Sequence, residues 1–335
     1  MKSIIYRIAG FVAWRGASGK RNACDSIGIL MLHGVHDRCM EKRMRPPTNS
    51  LPIARFVSGV QALRRRYQIV SLDAAVAMLS RRMEWRPRCV VLTFDDSLHC
   101  LLPTAAAWLS ESGLNATFFL STEVIDRQRP YWWKRLESAV AASIAKAVSA
   151  RLPDGTTFRI DPALGLGSVA PLKKALKLLP TAEIEAVVTN LEEQFGGAGT
   201  ASAGDNPYAR VLSWPEVREL ALLGMTIGSH TVTHPNLTIL PPEQVRTELI
   251  ESRERIEVMA GVPCEHLCYP YGAYSPAVCA MARAAGYRSA VTTDSPGWNF
   301  LGSDLFGLRR FAMPADAWRV APLLSGISGL RPISK

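Results

Sequence analysis

The chain predicts an α/β fold built on a parallel sheet or barrel, and three observations carry that expectation. Apolar, β-branched runs of strand length alternate with helical segments through most of the 335 residues. One such run, Cys89-Val90-Val91-Leu92-Thr93-Phe94, reads as a strand covered on both faces and ends in Asp95-Asp96. A polar cluster far downstream, Gly228-Ser229-His230-Thr231-Val232-Thr233-His234-Pro235, closes another predicted strand. Ligands in such architectures sit at the carboxyl ends of strands, which is where both clusters fall.

Taken in order, Ile27 to Val35 reads as a strand with His33 near its end. Phe56, Val60, Leu63 and Tyr67 recur at helical spacing within Ile53 to Tyr67. Gln68 to Val70 is a short strand, and Ser71 caps a helix over Leu72 to Leu79. After the Asp-Asp strand come a helix from Pro103, stopped by Gly113, and the strand Ala116 to Leu120. Between about Arg127 and Arg210 the rhythm breaks. Tyr131-Trp132-Trp133 opens an Ala-rich helix, and Pro153-Asp154-Gly155 turns the chain. A second helical stretch spans Leu172 to Phe195, and Gly196 to Asp205 reads as a mobile loop. This predicts a mostly helical insertion that caps or borders the site, because long excursions commonly serve as lids or binding surfaces. Its aromatic triplet could stack on sugar rings or fill a core.

Alternation then resumes. Ser213-Trp214-Pro215-Glu216 is a capping box for a helix ending at Gly224, and Met225 to Ser229 is the strand that delivers the histidines. A helix over Pro242 to Ala260 stops at Gly261, and the strand His266 to Tyr269 runs into Pro270-Tyr271-Gly272. Ser275 caps a helix ended by Gly286, and Tyr287 to Thr292 is a strand. Leu308 to Met313 forms the last strand and Ala315 to Leu324 a closing helix. The expected organisation is an N-terminal arm over 1–26, a barrel over 27–325 interrupted at about 127–210, and a tail over 326–335.

The formal charge of +10 favours encounters with phospholipid, nucleic acid or acidic glycan without specifying chemistry. No nucleic-acid recognition motif accompanies it, so no nucleic-acid partner is expected. Seven cysteines include no Cys-x-x-Cys pair, which excludes a zinc knuckle and a thiol redox motif and suits a reducing compartment. Met1 to Trp14 lacks the long apolar core and cleavage site of a secretory signal. No window reaches the ~18 apolar residues of a membrane span. The expected location is cytoplasmic, with an amphipathic arm that allows peripheral contact with the inner membrane.

An Asp-Asp pair alone is ordinarily a solvated turn, and two histidines four apart often have unrelated jobs. Adjacent carboxylates repel, however, so a site that keeps both needs a cation or a shared proton. A carboxylate with two imidazoles is the usual kit for catalytic zinc or a similar divalent ion. His230 and His234 would face one ion if their segment makes a helical turn ended by Pro235.

Thr93-Phe94-Asp95-Asp96, the Ser229–Pro235 cluster and Tyr269-Pro270-Tyr271-Gly272 resemble the first three motifs of the polysaccharide deacetylases (NodB homology, carbohydrate esterase family 4). They occur in the family's order, and the likeness runs from about Ile27 to Met313 outside the insertion. The resemblance implies a distorted (β/α) barrel, generally of seven strands. It also implies metal-dependent removal of the acetyl group from an N-acetylhexosamine unit of a polysaccharide, with release of acetate. Residue by residue, Asp96, His230 and His234 would hold the divalent metal, with zinc the first expectation. Asp95 would be the general base on the attacking water, and the backbone N–H of Tyr271 would help hold the oxyanion.

Three positions depart from the family pattern. Ser97 stands where a glycine usually follows the Asp pair, Cys268 replaces the arginine that braces the base, and no histidine follows His266 to supply a Leu-x-His motif. One branch, which includes deacetylases of poly-N-acetylglucosamine, has the Tyr-Pro-Tyr-Gly form and draws its acid histidine from the N-terminal strand. Leu32-His33-Gly34-Val35 resembles that element and makes His33 the general acid. Leu308-Arg309-Arg310-Phe311 resembles the branch's closing strand, so Arg310 would replace the missing brace. A lipid-linked sugar or lipopolysaccharide precursor is the alternative substrate, and a non-catalytic glycan-binding barrel the alternative class.

Overall fold

The computed structural model describes residues 26–37, 49–143, 147–196, 208–293, 296–316, 319 and 324. The N-terminal arm, most of the Gly/Ala/Ser-rich loop, most of the closing helix and the tail therefore lie outside the described residues. Seven strands follow one another around a parallel sheet: β1 (Ser26–Leu32), β2 (Cys89–Phe94), β3 (Thr117–Leu120), β4 (Thr226–Ser229), β5 (His266–Cys268), β6 (Ser289–Thr292) and β7 (Leu308–Arg309). β8 (Phe311–Ala312) then pairs parallel with β1, through Leu30↔Phe311 and Met31↔Ala312. The sheet so returns to its first strand as a distorted (β/α) barrel. The single strand expected over Leu308 to Met313 is thus two, broken at Arg310. Leu308 and Arg309 belong to β6 and the residues after Arg310 to β1, because the closing strand must change partners.

Alternation along the strands divides the apolar residues between two clusters. Val90, Leu92 and Phe94 join the larger core with the surrounding helices. Ile27, Ile29, Val91, Phe119, Cys268 and Val291 come from strands all round the sheet and meet in its interior. The helix Leu72–Leu79 adds Leu72, Val76 and Leu79 to that interior cluster. Its Asp73 bonds Thr226 and His266, the first residues of β4 and β5, so this helix plugs the N-terminal end of the barrel. Each such buried aliphatic side chain is worth about 1.5–3 kcal/mol. Gly228 in β4 admits no side chain, since a Cβ there would lie 2.6 Å from the Phe119 ring.

The capping signals act as the residues predict. Ser71 accepts from the Ala74 amide, Ser213 and Glu216 form a capping box, and Ser275 accepts from Val278. Gly224, Gly261 and Gly286 take left-handed φ where their helices stop.

Residues 127–210 hold a helix (Trp132–Ala142), a hairpin (Val148–Arg151 with Thr157–Ile160) and two helices (Ala170–Leu176, Thr181–Gln194). Leu136, Ile160, Leu172, Val188 and Leu191 share one apolar cluster there. Arg135, buried, grips Glu192 through two hydrogen bonds of 3.0 and 2.5 Å. The hairpin was not expected: Val148 and Ala150, and Phe158 and Ile160, do alternate with exposed polar residues, but strands of four residues inside a helical insertion give only a short signal. Pro153-Asp154-Gly155 is nevertheless its turn, with Asp154 accepting from Thr156 N at 2.9 Å. The helix expected over Leu172 to Phe195 is two helices separated at Pro180, which cannot continue one. No helix among the described residues is long and apolar enough to cross a membrane.

Candidate active site

Asp95 and Asp96 leave β2 at its C-terminal end. Asp95 N donates to Leu32 O at 3.0 Å, tying the pair to β1. Asp96 (φ 76°) and Ser97 (φ 47°) are both left-handed, so the chain doubles back and the two carboxylates address different partners. Ser97 therefore keeps the conformation a glycine would favour, at a cost of about 1–2 kcal/mol. Its hydroxyl offsets that cost by accepting from Ser121 N at 3.0 Å.

Asp95 faces Arg310. The guanidinium donates to both carboxylate oxygens at 2.8 Å, to Thr93 Oγ1 at 3.0 Å and to Cys268 Sγ at 3.1 Å. Both residues are buried, at 3% and 2% exposure, so the pair is sealed from water. Burial alone would raise the Asp95 carboxyl, but the charge and hydrogen bonds of Arg310 outweigh it and hold it well below the usual carboxylate range. Burial pushes the Cys268 thiol well up, so it is neutral and leaves the arginine's charge to Asp95.

Asp96 faces the two histidines. Its Oδ1 lies 4.0 Å from His230 Nε2 and 3.8 Å from His234 Nε2. These separations are too long for hydrogen bonds, yet the three donors suit one ion at ligand distances of about 2.0–2.2 Å. His230 Nδ1 donates to Cys268 O at 2.7 Å, which leaves the Nε2 lone pair directed at the gap. His234 Nδ1 is buried with no hydrogen-bond partner among the described residues. Burial lowers the pKa of both imidazoles, and nearby carboxylates only partly oppose it, so both are neutral donors. The residues present fit a divalent cation. The helical turn expected to align the histidines is absent. Thr231 (φ 69°) and His234 (φ 60°) are instead left-handed, and the loop folds back on itself.

Glu248 holds that loop. Its carboxylate accepts from Val232 N at 2.8 Å, Thr233 N at 3.0 Å and Thr233 Oγ1 at 2.7 Å. Sequence reasoning missed this residue, although a signal was present. Glu248 falls on the buried stripe Val245, Leu249, Ser252, Ile256 of its helix, where an acid needs a partner.

His33 follows β1 and places Nε2 4.0 Å from Asp96 Oδ2, on a side chain 25% exposed. The other histidines are engaged elsewhere. His36 bonds Ser50, His99 lies against Arg210 and Glu216, and His266 bonds Asp73 and Ser289 at the far end of the barrel. Tyr271 is left-handed (φ 58°) and its ring packs 4.8 Å from that of His234. Trp132 Nε1 donates to the Tyr271 hydroxyl at 3.3 Å, while Tyr131 and Trp133 rings lie 5.5 and 4.8 Å from His234. The aromatic triplet thus walls the site, and Thr181 also meets Thr233 of the histidine loop at 3.3 Å.

Two further donor clusters differ in kind. In the group Asp95, His230 and Cys268, the carboxylate and the neutral thiol already accept from Arg310, and Asp73, Glu265 and His266 sit at the barrel's opposite end.

Comparison with known proteins agrees with this geometry. Among solved structures, the Streptococcus pyogenes deacetylase PplD, in complex with acetate, superposes with a TM-score of 0.59 at 18% identity, over 90% of this chain and 99% of that one. IcaB from Ammonifex degensii gives 0.57 at 15% identity, over 90% and 98%. A de-N-acetylase from Aggregatibacter actinomycetemcomitans gives 0.53 at 14%, over 86% and 96%. At these identities the likeness is one of fold. The curated protein YxkH of Bacillus subtilis (strain 168), named provisionally as a polysaccharide deacetylase, is 30% identical over 115 residues. That match spans 34% of this chain and 38% of YxkH's length. The family description "Polysaccharide deacetylase" matches residues 83–149 and 166–290, more than half of the chain and all three motifs. On that match the chain belongs to the polysaccharide deacetylase family.

Proposed function

We propose that the protein is a metal-dependent de-N-acetylase of an N-acetylhexosamine unit in a polysaccharide. The observation that carries this reading is the division of labour in the Asp pair. Asp95 is locked to Arg310, while Asp96 turns to two neutral histidines. A divalent ion, zinc by the donor set, held by Asp96, His230 and His234 would acidify the attacking water and polarise the acetamide carbonyl. Asp95, ionised throughout the working range, accepts the water's proton. A carboxylate held at low pKa is a weak base, which suffices for water already made acidic. The Tyr271 amide donates to the oxyanion, and His33 protonates the departing amine. The aromatic wall of Trp132, Trp133 and Tyr271 suits a sugar ring and its acetyl methyl. Ser97 and Cys268, the departures that favour a non-catalytic barrel, are each compensated, by the Ser121 contact and by Arg310.

The test is acetate release from chitooligosaccharides and poly-N-acetylglucosamine oligomers by the purified chain. Activity should vanish on chelation and return with added divalent metal. Failure of the metal-loaded protein to release acetate from any N-acetylated glycan would overturn the reading.

His33→Ala should lower turnover roughly 100-fold or more while metal content is unchanged. The loss should fall on kcat with little change in KM. A variant that keeps most of its rate would remove His33 from the mechanism. Glu248→Ala frees the histidine loop and should weaken metal affinity roughly 10–100-fold, the range for partners that orient ligands. Equilibrium metal titration checks this, and wild-type affinity would mean the loop holds its shape unaided.

A further inference from the structure

We infer that the N-terminal end of the barrel, opposite the candidate active site, docks on an anionic phospholipid surface. The segments 64–66 and 81–88 carry seven arginines and a single carboxylate, Glu84. They are neighbours in space. Residues 64–66 end the helix Ile53–Arg64, and two residues further on Gln68 N donates to Arg88 O at 2.8 Å, beside the start of β2. Residues 81–88 connect the plug helix Leu72–Leu79 to β2. Arg64, Arg65, Arg81, Arg82 and Arg86 are exposed, and none forms an ion pair among the described residues. A patch of this density repels itself unless an anionic partner neutralises it.

The chemistry of the patch selects the partner. Arg81 and Arg82 share the wall of an open hollow of about 330 Å³ with Met83, Trp85 and Leu301, Glu84 also lining it. Met83 and Leu301 are 40% and 47% exposed, so apolar side chains stand beside the guanidinium groups at the surface. Guanidinium forks suit phosphate, and an adjoining Trp and aliphatic side chains suit the boundary between headgroups and acyl chains. A nucleic-acid surface would not call for exposed aliphatic side chains. The path of the chain supplies an independent argument. β1 begins at Ser26, paired with Phe300 and so next to Leu301. The chain therefore enters β1 at this same end, and the sequence that precedes it carries Lys2, Arg7 and Arg15 among Ile4, Ile5, Phe11 and Trp14.

Docking in this orientation turns the carboxyl ends of the strands, with Asp96, His230 and His234, away from the bilayer. Combined with the deacetylase reading, it favours a glycan approaching from the aqueous side over a sugar on a lipid of the same leaflet. Vesicle binding does not depend on that reading, so the two can fail separately.

Co-sedimentation of the full chain with vesicles tests the inference, comparing phosphatidylcholine alone with phosphatidylcholine doped with phosphatidylglycerol. Binding should require phosphatidylglycerol and be released at high salt. The triple variant R81E/R82E/R86E should bind at least about 30-fold more weakly. An equal charge reversal on the insertion, R127E/R159E/K174E, should bind nearly as well as wild type. Equal losses in both variants would mean that net charge and not this face is responsible, and would overturn the proposal. Wild-type binding that is absent, salt-resistant or equal on neutral vesicles would do the same. So would capture of single-stranded oligonucleotide in preference to vesicles. Should the triple variant unfold in a thermal melt, the single variants R82E and R86E compared with R127E decide in its place: equal losses would overturn the proposal.

Discussion

Asp95→Asn should lower turnover by roughly 10²–10⁴-fold, the contribution of a positioned general base, while bound metal stays at the wild-type level. The reason lies in where the two adjacent carboxylates point. Asp95 spends both oxygens on Arg310, and an amide of the same shape can still accept one of those hydrogen bonds. Asn cannot take up a proton from water at any working pH, so the loss falls on kcat with little change in KM. Asp96→Asn should do the reverse. Its Oδ1 stands within 4.0 Å of both histidine Nε2 atoms, and a neutral amide there removes the charged member of the donor set. Metal content then falls, and activity returns only at high added metal. Elemental analysis beside steady-state kinetics separates the two variants. Metal lost from Asp95→Asn and kept by Asp96→Asn would exchange the roles assigned to the pair.

How much of this was legible in the sequence depends on whether the information was local. The strand ending in the Asp pair, the capping serines and the helix-stopping glycines are written in short stretches, and they form as read. The motif residues and Arg310 were named from resemblance, and the fold brings them to one end of the barrel. What the sequence hid was conformation set by distant partners. Two left-handed residues, not a helical turn, align His230 and His234, because Glu248 on another element holds the loop amides. The break at Arg310 depends on β1 and β6 competing for one closing strand, a non-local choice without a local signature. The hairpin at 148–160 does alternate, with Val148, Ala150, Phe158 and Ile160 turned to the insertion's own core, but each strand is only four residues long and the signal is correspondingly short.

Arg310→Met should be the most damaging single substitution in the barrel. It leaves the buried Asp95 carboxylate without its cation, a loss of about 3–5 kcal/mol for breaking one side of a buried pair. The pH dependence gives the effect a signature that simple misfolding lacks. In the wild type Arg310 holds the Asp95 pKa below its unfolded value, so the native state binds fewer protons in that acid window. The pair's stability is therefore present above about pH 4, the unfolded carboxylate range, and is lost as pH falls below it. Without Arg310, burial is the dominant influence on Asp95 and drives its pKa above the unfolded value. The sign reverses, because native Asp95 now holds a proton that the unfolded chain releases. The variant's contribution from this group is then favourable below about pH 4 and lost as pH rises toward neutrality. Urea unfolding of chelator-treated protein across acid and neutral pH reads this directly. Relative to wild type, the deficit should shrink toward acid pH and be largest near neutrality. A deficit that stays constant across that range would show that Arg310 supports the fold by packing alone and does not hold the charge on Asp95.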